Sequence, residues 1–168
     1  MRRYSKKKEI CFDTPEEERA AAVKKAMDLL LYRDRSRAEL AGRLQEAGFC
    51  EEAVEAALGY VTSYGYLNDR RFAETFAAVR ADRQSRAAIE RELRQKGVAE
   101  EIIREVIEAE DRNDEDTAYE LLCRKAGEPH PLEDRELRKL LAFLGRRGFG
   151  TGDAWRALQK YRDSIEQP

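Results

Sequence analysis

Residues 36–49 read SRAELAGRLQEAGF and contain the signals that decide the fold. Ser36 begins a capping box with the glutamate three residues later, so both side chains can satisfy backbone N–H groups at a helix start. Leu40 and Leu44 then lie on one face of that helix, and Gly48 can take the left-handed conformation that ends it. The stretch therefore predicts a helix with a buried leucine face, followed by a tight turn.

The same pattern of apolar residues and a closing glycine occurs twice more in the chain. Aligned on the glycine, the later copies end at Gly97 and Gly148, so that the copies are 49 and 51 residues apart. The matching apolar positions are Leu40 and Leu44, Ile89 and Leu93, and Leu140 and Leu144. We expect all six in the core. An apolar stripe at helical spacing also precedes and follows each copy, which indicates three tandem three-helix repeats.

These patterns divide the chain into four predicted segments. They are a basic, flexible N-terminal tail at 1–15, and three repeats at 16–66, 67–112 and 113–166. Thr14 and Pro15 mark the start of the first helix, since a threonine cap followed by proline is typical of helix N-termini. The stretch from Gly127 to Pro131 predicts an extra loop in the third repeat. Within each repeat the last two helices are joined by a short turn, as in a helix-turn-helix.

Composition agrees with an all-α fold. Ala, Glu, Lys, Leu and Arg make up 56% of the 168 residues, whereas β-branched residues are few. Charged residues make up 39% of the chain, against about 25% in an average domain. No stretch approaches the ~20 consecutive apolar residues of a membrane span. We therefore expect a soluble protein with no transmembrane anchor.

The residues needed for familiar catalysis are sparse. Cys11, Cys50 and Cys123 are an odd and widely separated set, which disfavours a disulfide framework or a zinc site. The single histidine, His130, lies between two prolines in a predicted loop, a poor position for a catalytic base. No glycine-rich phosphate loop is present. We expect no enzyme activity, no cofactor and no metal.

The net charge is only −2, but positive and negative residues are segregated along the chain. Residues 1–8 carry +5 and residues 67–97 carry +3, whereas residues 98–116 carry −7. The last helices of the first two repeats begin with glutamates, which phosphates would repel, so sequence reading in the DNA major groove is disfavoured. Two interpretations of the basic 67–97 cluster stay open, a partner-binding surface and ordinary ion pairs on solvated helices.

A series of motifs in one order resembles the RecX family of recombination regulators. The motifs run from Arg35 to Leu40, Gly65 to Asp69, Arg71 to Ala73, Lys96 to Val98 and Arg146 to Phe149. The resemblance spans about residues 20–162. It implies a bacterial cytoplasmic protein, without membrane contact, that has three tandem three-helix repeats in an elongated, curved arrangement. It also implies binding in the groove of the RecA–DNA filament, with inhibition of strand exchange, ATP hydrolysis and co-protease activity.

We therefore expect a non-catalytic negative regulator of RecA in DNA repair and the SOS response, acting as a monomer and contacting DNA weakly or within the filament. The candidate contacts are Arg70, Arg71, Arg80, Arg83, Arg86, Arg91 and Arg94, with Arg35 and Arg37 next. Asn68 and Asp69 are interpreted as helix caps at a repeat junction more than as a binding pair. The alternative is a nonspecific DNA-binding protein that uses the basic tail and the arginines of the second repeat.

Overall fold

The structure, a computed structural model, describes residues 12–165, so most of the predicted N-terminal tail lies outside the described residues. Residues 12–165 form nine α-helices and no β-strand. These are α1 (Pro15–Tyr32), α2 (Arg37–Glu46), α3 (Glu51–Ser63), α4 (Asp69–Arg80), α5 (Arg86–Gln95), α6 (Glu100–Ala109), α7 (Asp114–Ala126), α8 (Asp134–Arg146) and α9 (Thr151–Asp163). The predicted all-α fold class is confirmed, and the nine described helices agree with three sets of three. Of the helices between residues 12 and 165, none is long and apolar enough to cross a membrane.

The described residues divide into two compact units, and the first contains residues 12–73 together with Gln95–Ile102. Here α1 packs mainly against α3, and α2 contacts both. The small, fully buried side chains of Ala22 and Ala26 let α1 approach α3 closely. The core is completed by leucines from α2 and by the apolar stripe of α3.

The second unit contains residues Glu74–Arg94 and residues 103–165. In it α7 packs mainly against α9, with α8 against both. Tyr161 of α9 is fully buried, and its hydroxyl donates to the Glu128 carbonyl at 2.9 Å. The loop between α7 and α8 includes the predicted stretch from Gly127 to Pro131.

All six predicted core residues are buried. Their exposed fractions are 0% for Leu40, Leu44, Ile89, Leu93 and Leu144, and 4% for Leu140. The divisions between the two compact units fall inside α4, α5 and α6, whereas the predicted repeat boundaries fall between helices. Those boundaries, at 66/67 and 112/113, stay a prediction.

The start of α2 is capped by a residue that also contacts a distant turn of the first unit. Ser36 Oγ accepts the Glu39 N–H at 3.1 Å and donates its own proton to the Lys96 carbonyl at 2.5 Å. Ser36 is fully buried, so both hydrogen bonds are shielded from water. The predicted cap is therefore confirmed, and it also connects two segments 60 residues apart.

Two further caps in the first unit come from the Asn68–Asp69 pair. Asn68 Oδ1 accepts the Arg71 N–H at 3.0 Å at the start of α4. Asp69 Oδ1 accepts the Arg37 N–H at 2.7 Å at the start of α2. A carboxylate here is favourable because it faces the positive end of the helix dipole. The pair acts in helix capping, as interpreted from the sequence.

The second unit repeats this arrangement at the start of α5. Ser85 Oγ accepts the Ala88 N–H at 3.2 Å and donates to the Gly148 carbonyl at 2.6 Å. The Asp114 carboxylate accepts the Arg86 N–H at 3.1 Å. The starts of α2 and α5 are therefore held in the same way. In each, a serine donates to a carbonyl of a later turn, and an aspartate from a later helix accepts a backbone N–H.

Candidate functional site

An open groove in the second unit collects basic side chains from three segments of the chain. Its volume is about 550 Å³. The lining residues are Val79 and Arg80 at the end of α4, Arg83 and Gln84 in the next loop, and Arg146 and Arg147 at the end of α8. Four of the six are arginines and none is acidic. We call this the basic groove.

Two of these arginines are held in place by stacking on aromatic rings. The Arg80 guanidinium lies 3.6 Å from the centre of the Phe76 ring, and the Arg147 guanidinium lies 3.7 Å from that of Phe143. Arg80 Nε also donates to Glu92 at 3.3 Å. Stacking limits the rotamers of a long side chain, so less conformational entropy is lost when a ligand binds.

The other two arginines of the basic groove reach into solvent. The side chain of Arg83 is 72% exposed, and its nearest acid is the neighbouring Asp82 at 3.5 Å. Arg146 is exposed in the last turn of α8. Exposed guanidiniums keep several N–H donors available for phosphate or carboxylate oxygens.

The two walls of the groove are joined by hydrogen bonds. The Ser85 N–H donates to the Arg147 carbonyl at 3.0 Å, next to the serine–Gly148 hydrogen bond. Arg112 holds the loop from the other side, since its Nη1 donates to the carbonyls of Gln84, at 3.0 Å, and Ala81. Hydrogen bonds to its backbone therefore hold the loop that carries Arg83 in place.

The predicted contact arginines of the first unit lie elsewhere. Arg37 and Arg70 line a separate cleft of about 370 Å³. Arg71 donates to the carbonyls of Gly65, at 3.3 Å, and Tyr66, at 3.2 Å, beyond the end of α3.

Arg35 differs from the other candidates because it is buried, with only 8% of its surface exposed. Loss of solvent on burial lowers the pKa of its guanidinium, an effect to which nearby Arg33 adds. Its Nε is buried without a hydrogen-bond partner. This environment disfavours direct contact with a partner.

Of the three candidate arginines on α5, one is hydrogen-bonded to the protein backbone and two are exposed on the surface. Arg86 Nη2 donates to the Glu110 carbonyl, which commits part of its guanidinium to the protein. Arg91 and Arg94 are exposed, and Arg94 pairs with Glu90 at 3.2 Å, one helix turn away. Of the nine candidates, the basic groove brings together Arg80 and Arg83.

Sequence reasoning missed two groove residues, Arg146 and Arg147. The candidate contacts were drawn from the basic 67–97 cluster, whereas these two belong to the third repeat, about 60 residues further along. A signal was present in the alignment of the repeats, because Arg147–Gly148 corresponds to Lys96–Gly97. That alignment marks a basic residue before two of the three turn glycines.

Comparisons with known proteins match all three helical domains of the chain. Family models described as the first, second and third three-helix domains of RecX match residues 22–60, 68–107 and 113–158. A regulatory protein RecX from Amycolatopsis mediterranei (strain U-32) is 36% identical over 162 residues, covering 94% of this chain and 84% of the relative. One from Stenotrophomonas maltophilia (strain R551-3) is 33% identical over 140 residues, covering 83% of this chain and 85% of the relative.

A solved structure supports the same assignment of fold. The crystal structure of RecX from Lactobacillus salivarius superposes with a TM-score of 0.69 at 17% identity, covering 87% of this chain and 97% of that one. With three matched domains and relatives above 30% identity that are matched over more than four fifths of their length, this chain belongs to the RecX family of regulatory proteins.

Proposed function

We propose that this protein is a non-catalytic negative regulator of the RecA recombinase. It binds in the groove of the RecA–DNA filament and inhibits ATP hydrolysis, strand exchange and co-protease activity. It acts in the cytoplasm as a monomer. Family membership supports a regulatory role, and the RecA-specific part follows from the resemblance of the sequence motifs to recombination regulators.

The basic groove is the observation that carries this proposal. Its four arginines offer planar, permanently charged forks that match phosphate oxygens in pairs. Binding to phosphates would release condensed counterions from DNA, which favours association. Arginine does not exchange its proton near neutral pH, so such a surface suits binding and not acid–base catalysis.

The exposed positions of the groove, Arg83 and Arg146, are the proposed principal contacts. Arg80 and Arg147 support them from their stacked positions. Arg91 and Arg94 on α5 and Arg37, Arg70 and Arg71 in the first unit extend the proposed surface, while Arg86 and the buried Arg35 contribute least.

The test is a titration of the protein into RecA on single-stranded DNA, following ATP hydrolysis and filament length. We expect inhibition by the wild-type protein. The double variant Arg83→Glu/Arg146→Glu should raise the concentration needed for half-inhibition by about tenfold or more, since charge reversal replaces attraction by repulsion. Arg162→Glu, an exposed arginine of α9 outside the groove, is the matched control and should inhibit like the wild type.

Two other outcomes would contradict the proposal. If the wild-type protein has no effect at one molecule per few RecA subunits, the RecA-directed function is wrong. If the protein instead binds naked DNA tightly, with an affinity that falls steeply with salt, and leaves RecA unaffected, the alternative of a nonspecific DNA-binding protein is correct. Inhibition well below one molecule per subunit would favour action at filament ends.

A further inference from the structure

The last turn of α7 carries two exposed cations, Arg124 and Lys125, next to the basic groove. Lys125 Nζ lies 5.9 Å from the centre of the Phe143 ring, and Arg147 of the groove stacks on the same ring at 3.7 Å. A cation within about 6 Å of an aromatic ring centre is attracted to the ring. Lys125 and Arg147 therefore share one ring, which places the end of α7 beside the wall of the groove that α8 forms.

A carboxylate makes a second connection between α7 and the basic groove. Asp82 lies in the loop between α4 and α5, directly before Arg83 of the groove. Its Oδ1 is 3.5 Å from Arg83 Nε, and its Oδ2 is 3.6 Å from Arg124 Nη1. One acid thus pairs with arginines from two segments of the chain, and it lies between the groove and the cations of α7.

Both ion pairs of Asp82 are exposed to water. The exposed fractions of the side chains are 53% for Asp82, 72% for Arg83 and 52% for Arg124. Pairs of this kind hold together weakly, because water and salt screen the attraction between the charges. The two distances also exceed the roughly 2.7–2.9 Å of a close charge-assisted hydrogen bond. A phosphate oxygen can therefore replace Asp82 on either arginine.

Two other acids near these arginines act differently. Glu92 Oε1 accepts a hydrogen bond from the Gln84 side chain at 2.7 Å, and both residues are partly buried, so Glu92 serves to hold the groove in shape. Glu120 pairs with Arg124 at 3.1 Å from one turn earlier on the same helix, an arrangement that stabilises α7 itself. Asp82 differs from both because its carboxylate connects two segments that each carry cations.

We propose that Asp82 limits the affinity of the basic groove for the phosphates of a nucleic acid strand, and that Arg124 and Lys125 bind such a strand together with the groove. This inference rests on the proposed function and names a residue that regulates its site. Asp82 acts in two ways, because it occupies two guanidiniums and because its charge lowers the local positive potential that attracts a polyanion. Both effects oppose any phosphate chain, so weak binding to naked DNA is the consequence.

The experiment measures binding of the protein to a fluorescently labelled oligothymidine over a series of salt concentrations. Asp82→Asn is the main variant, because it removes the charge, keeps the size of the side chain and lies in an exposed loop. Asp163→Asn is the matched control, since it makes the same change of net charge at an exposed acid of α9 that lines a different groove. Lys125→Glu and Arg124→Ala test the two cations of α7. Circular dichroism checks that every variant keeps the helicity of the wild type.

We expect Asp82→Asn to bind the oligonucleotide about three- to tenfold more tightly than the wild type at low salt. The plot of log affinity against log salt should steepen by about 0.7 for each phosphate newly contacted. Lys125→Glu should weaken binding by about fivefold or more and flatten the plot, and Asp163→Asn should stay within about twofold of the wild type. The gain from Asp82→Asn should be smaller in an Arg124→Ala background, because one of the two arginines that it releases is then missing.

Three results would overturn the inference. Binding by Asp82→Asn that equals that of the wild type would show that Asp82 does not compete with phosphates. An equal gain in Asp82→Asn and Asp163→Asn would assign the effect to net charge and not to this site. A full gain in the Arg124→Ala background, together with wild-type binding by Lys125→Glu, would exclude the cations of α7.

The titration into RecA on single-stranded DNA separates this inference from the proposed function. If the wild-type protein fails to inhibit RecA but Asp82→Asn shows the expected gain on the oligonucleotide, the proposed function is wrong and the role of Asp82 stands. If the wild type inhibits RecA and Asp82→Asn binds the oligonucleotide like the wild type, the proposed function stands and the inference is wrong.

Discussion

Gly148 lies directly against Ala88, so closely that a Cβ placed on the glycine would be 2.5 Å from the Ala88 Cβ. The Ser85 hydroxyl would be 2.8 Å from the same Cβ. Gly148 also has a φ of 85°, a conformation that side-chain-bearing residues rarely adopt. Two independent constraints, contact and backbone conformation, therefore require glycine at the turn that forms one wall of the basic groove.

Gly148→Ala should lower the free energy of unfolding by at least about 2 kcal/mol, since it combines left-handed strain with overlap in a packed contact. Urea denaturation followed by circular dichroism measures this. Gly145→Ala is the matched control three residues earlier, within α8, where the added Cβ would meet no atom within 4 Å apart from its chain neighbours and the backbone of its own helix. It should stabilise the protein by about 0.5–1 kcal/mol. Equal stability of the two variants would contradict the argument.

Ser85→Ala should destabilise the protein by about 1–3 kcal/mol, because it removes a helix cap and the buried hydroxyl that donates to the Gly148 carbonyl. The same urea measurement applies. Ser63→Ala is the control, since its exposed hydroxyl donates to the Tyr60 carbonyl of its own helix and the change should stay within about 0.5 kcal/mol. The expectation fails if both serine variants behave alike.

The core and the helix caps could be predicted because their signals are local. The leucine spacing and the Ser36 capping box each lie within one helix and its first turn, where residues three or four apart are neighbours. The basic groove could not be predicted in the same way. Arg83 and Arg146 are 63 residues apart, and the contact between Ser85 and the 147–148 turn brings their segments together. Packing between segments, and not the charge of one stretch, determines which arginines share a surface.

The position of Arg35 shows the same limit. Its neighbours in sequence, Arg33 and Arg37, are exposed, and Arg35 itself is buried. It lies in the irregular segment between α1 and α2, where no periodic pattern indicates which side chain points inward. A count of charges therefore treats Arg33, Arg35 and Arg37 as equal, although packing buries Arg35 and leaves the other two exposed.

Arg112→Ala should loosen the loop that carries Arg83. Arg112 Nε pairs with Glu110 at 2.8 Å, and its Nη1 holds the Gln84 carbonyl at 3.0 Å. With those hydrogen bonds lost, we expect about 2 kcal/mol less stability and faster amide hydrogen exchange at Arg83 and Gln84. Arg104→Ala, an exposed arginine of α6, should change neither measurement. Unchanged exchange in Arg112→Ala would show that the loop holds its conformation without this residue.

His130 should titrate above its ordinary pKa of 6.5. In the protonated ring, Nδ1 donates to the Glu128 carbonyl at 3.0 Å and Nε2 donates to the Glu136 carboxylate at 3.3 Å, and both hydrogen bonds raise the pKa by favouring the protonated form. A raised pKa in the folded state means that the stabilisation is complete below pH 6.5 and is lost as the pH rises through the higher folded value. The free energy of unfolding should therefore fall across that range.

Nuclear magnetic resonance of the imidazole protons measures the pKa directly. Because the chain has a single histidine, its signals need no further assignment. Glu136→Gln should lower the His130 pKa, because it removes the negative charge while keeping a side chain of similar size, and it should weaken the pH dependence of stability. Glu120→Gln, at an exposed glutamate that pairs with Arg124, is the control and should leave the titration unchanged. A His130 pKa at or below 6.5 in the wild-type protein would show that these hydrogen bonds do not favour the charged ring in solution.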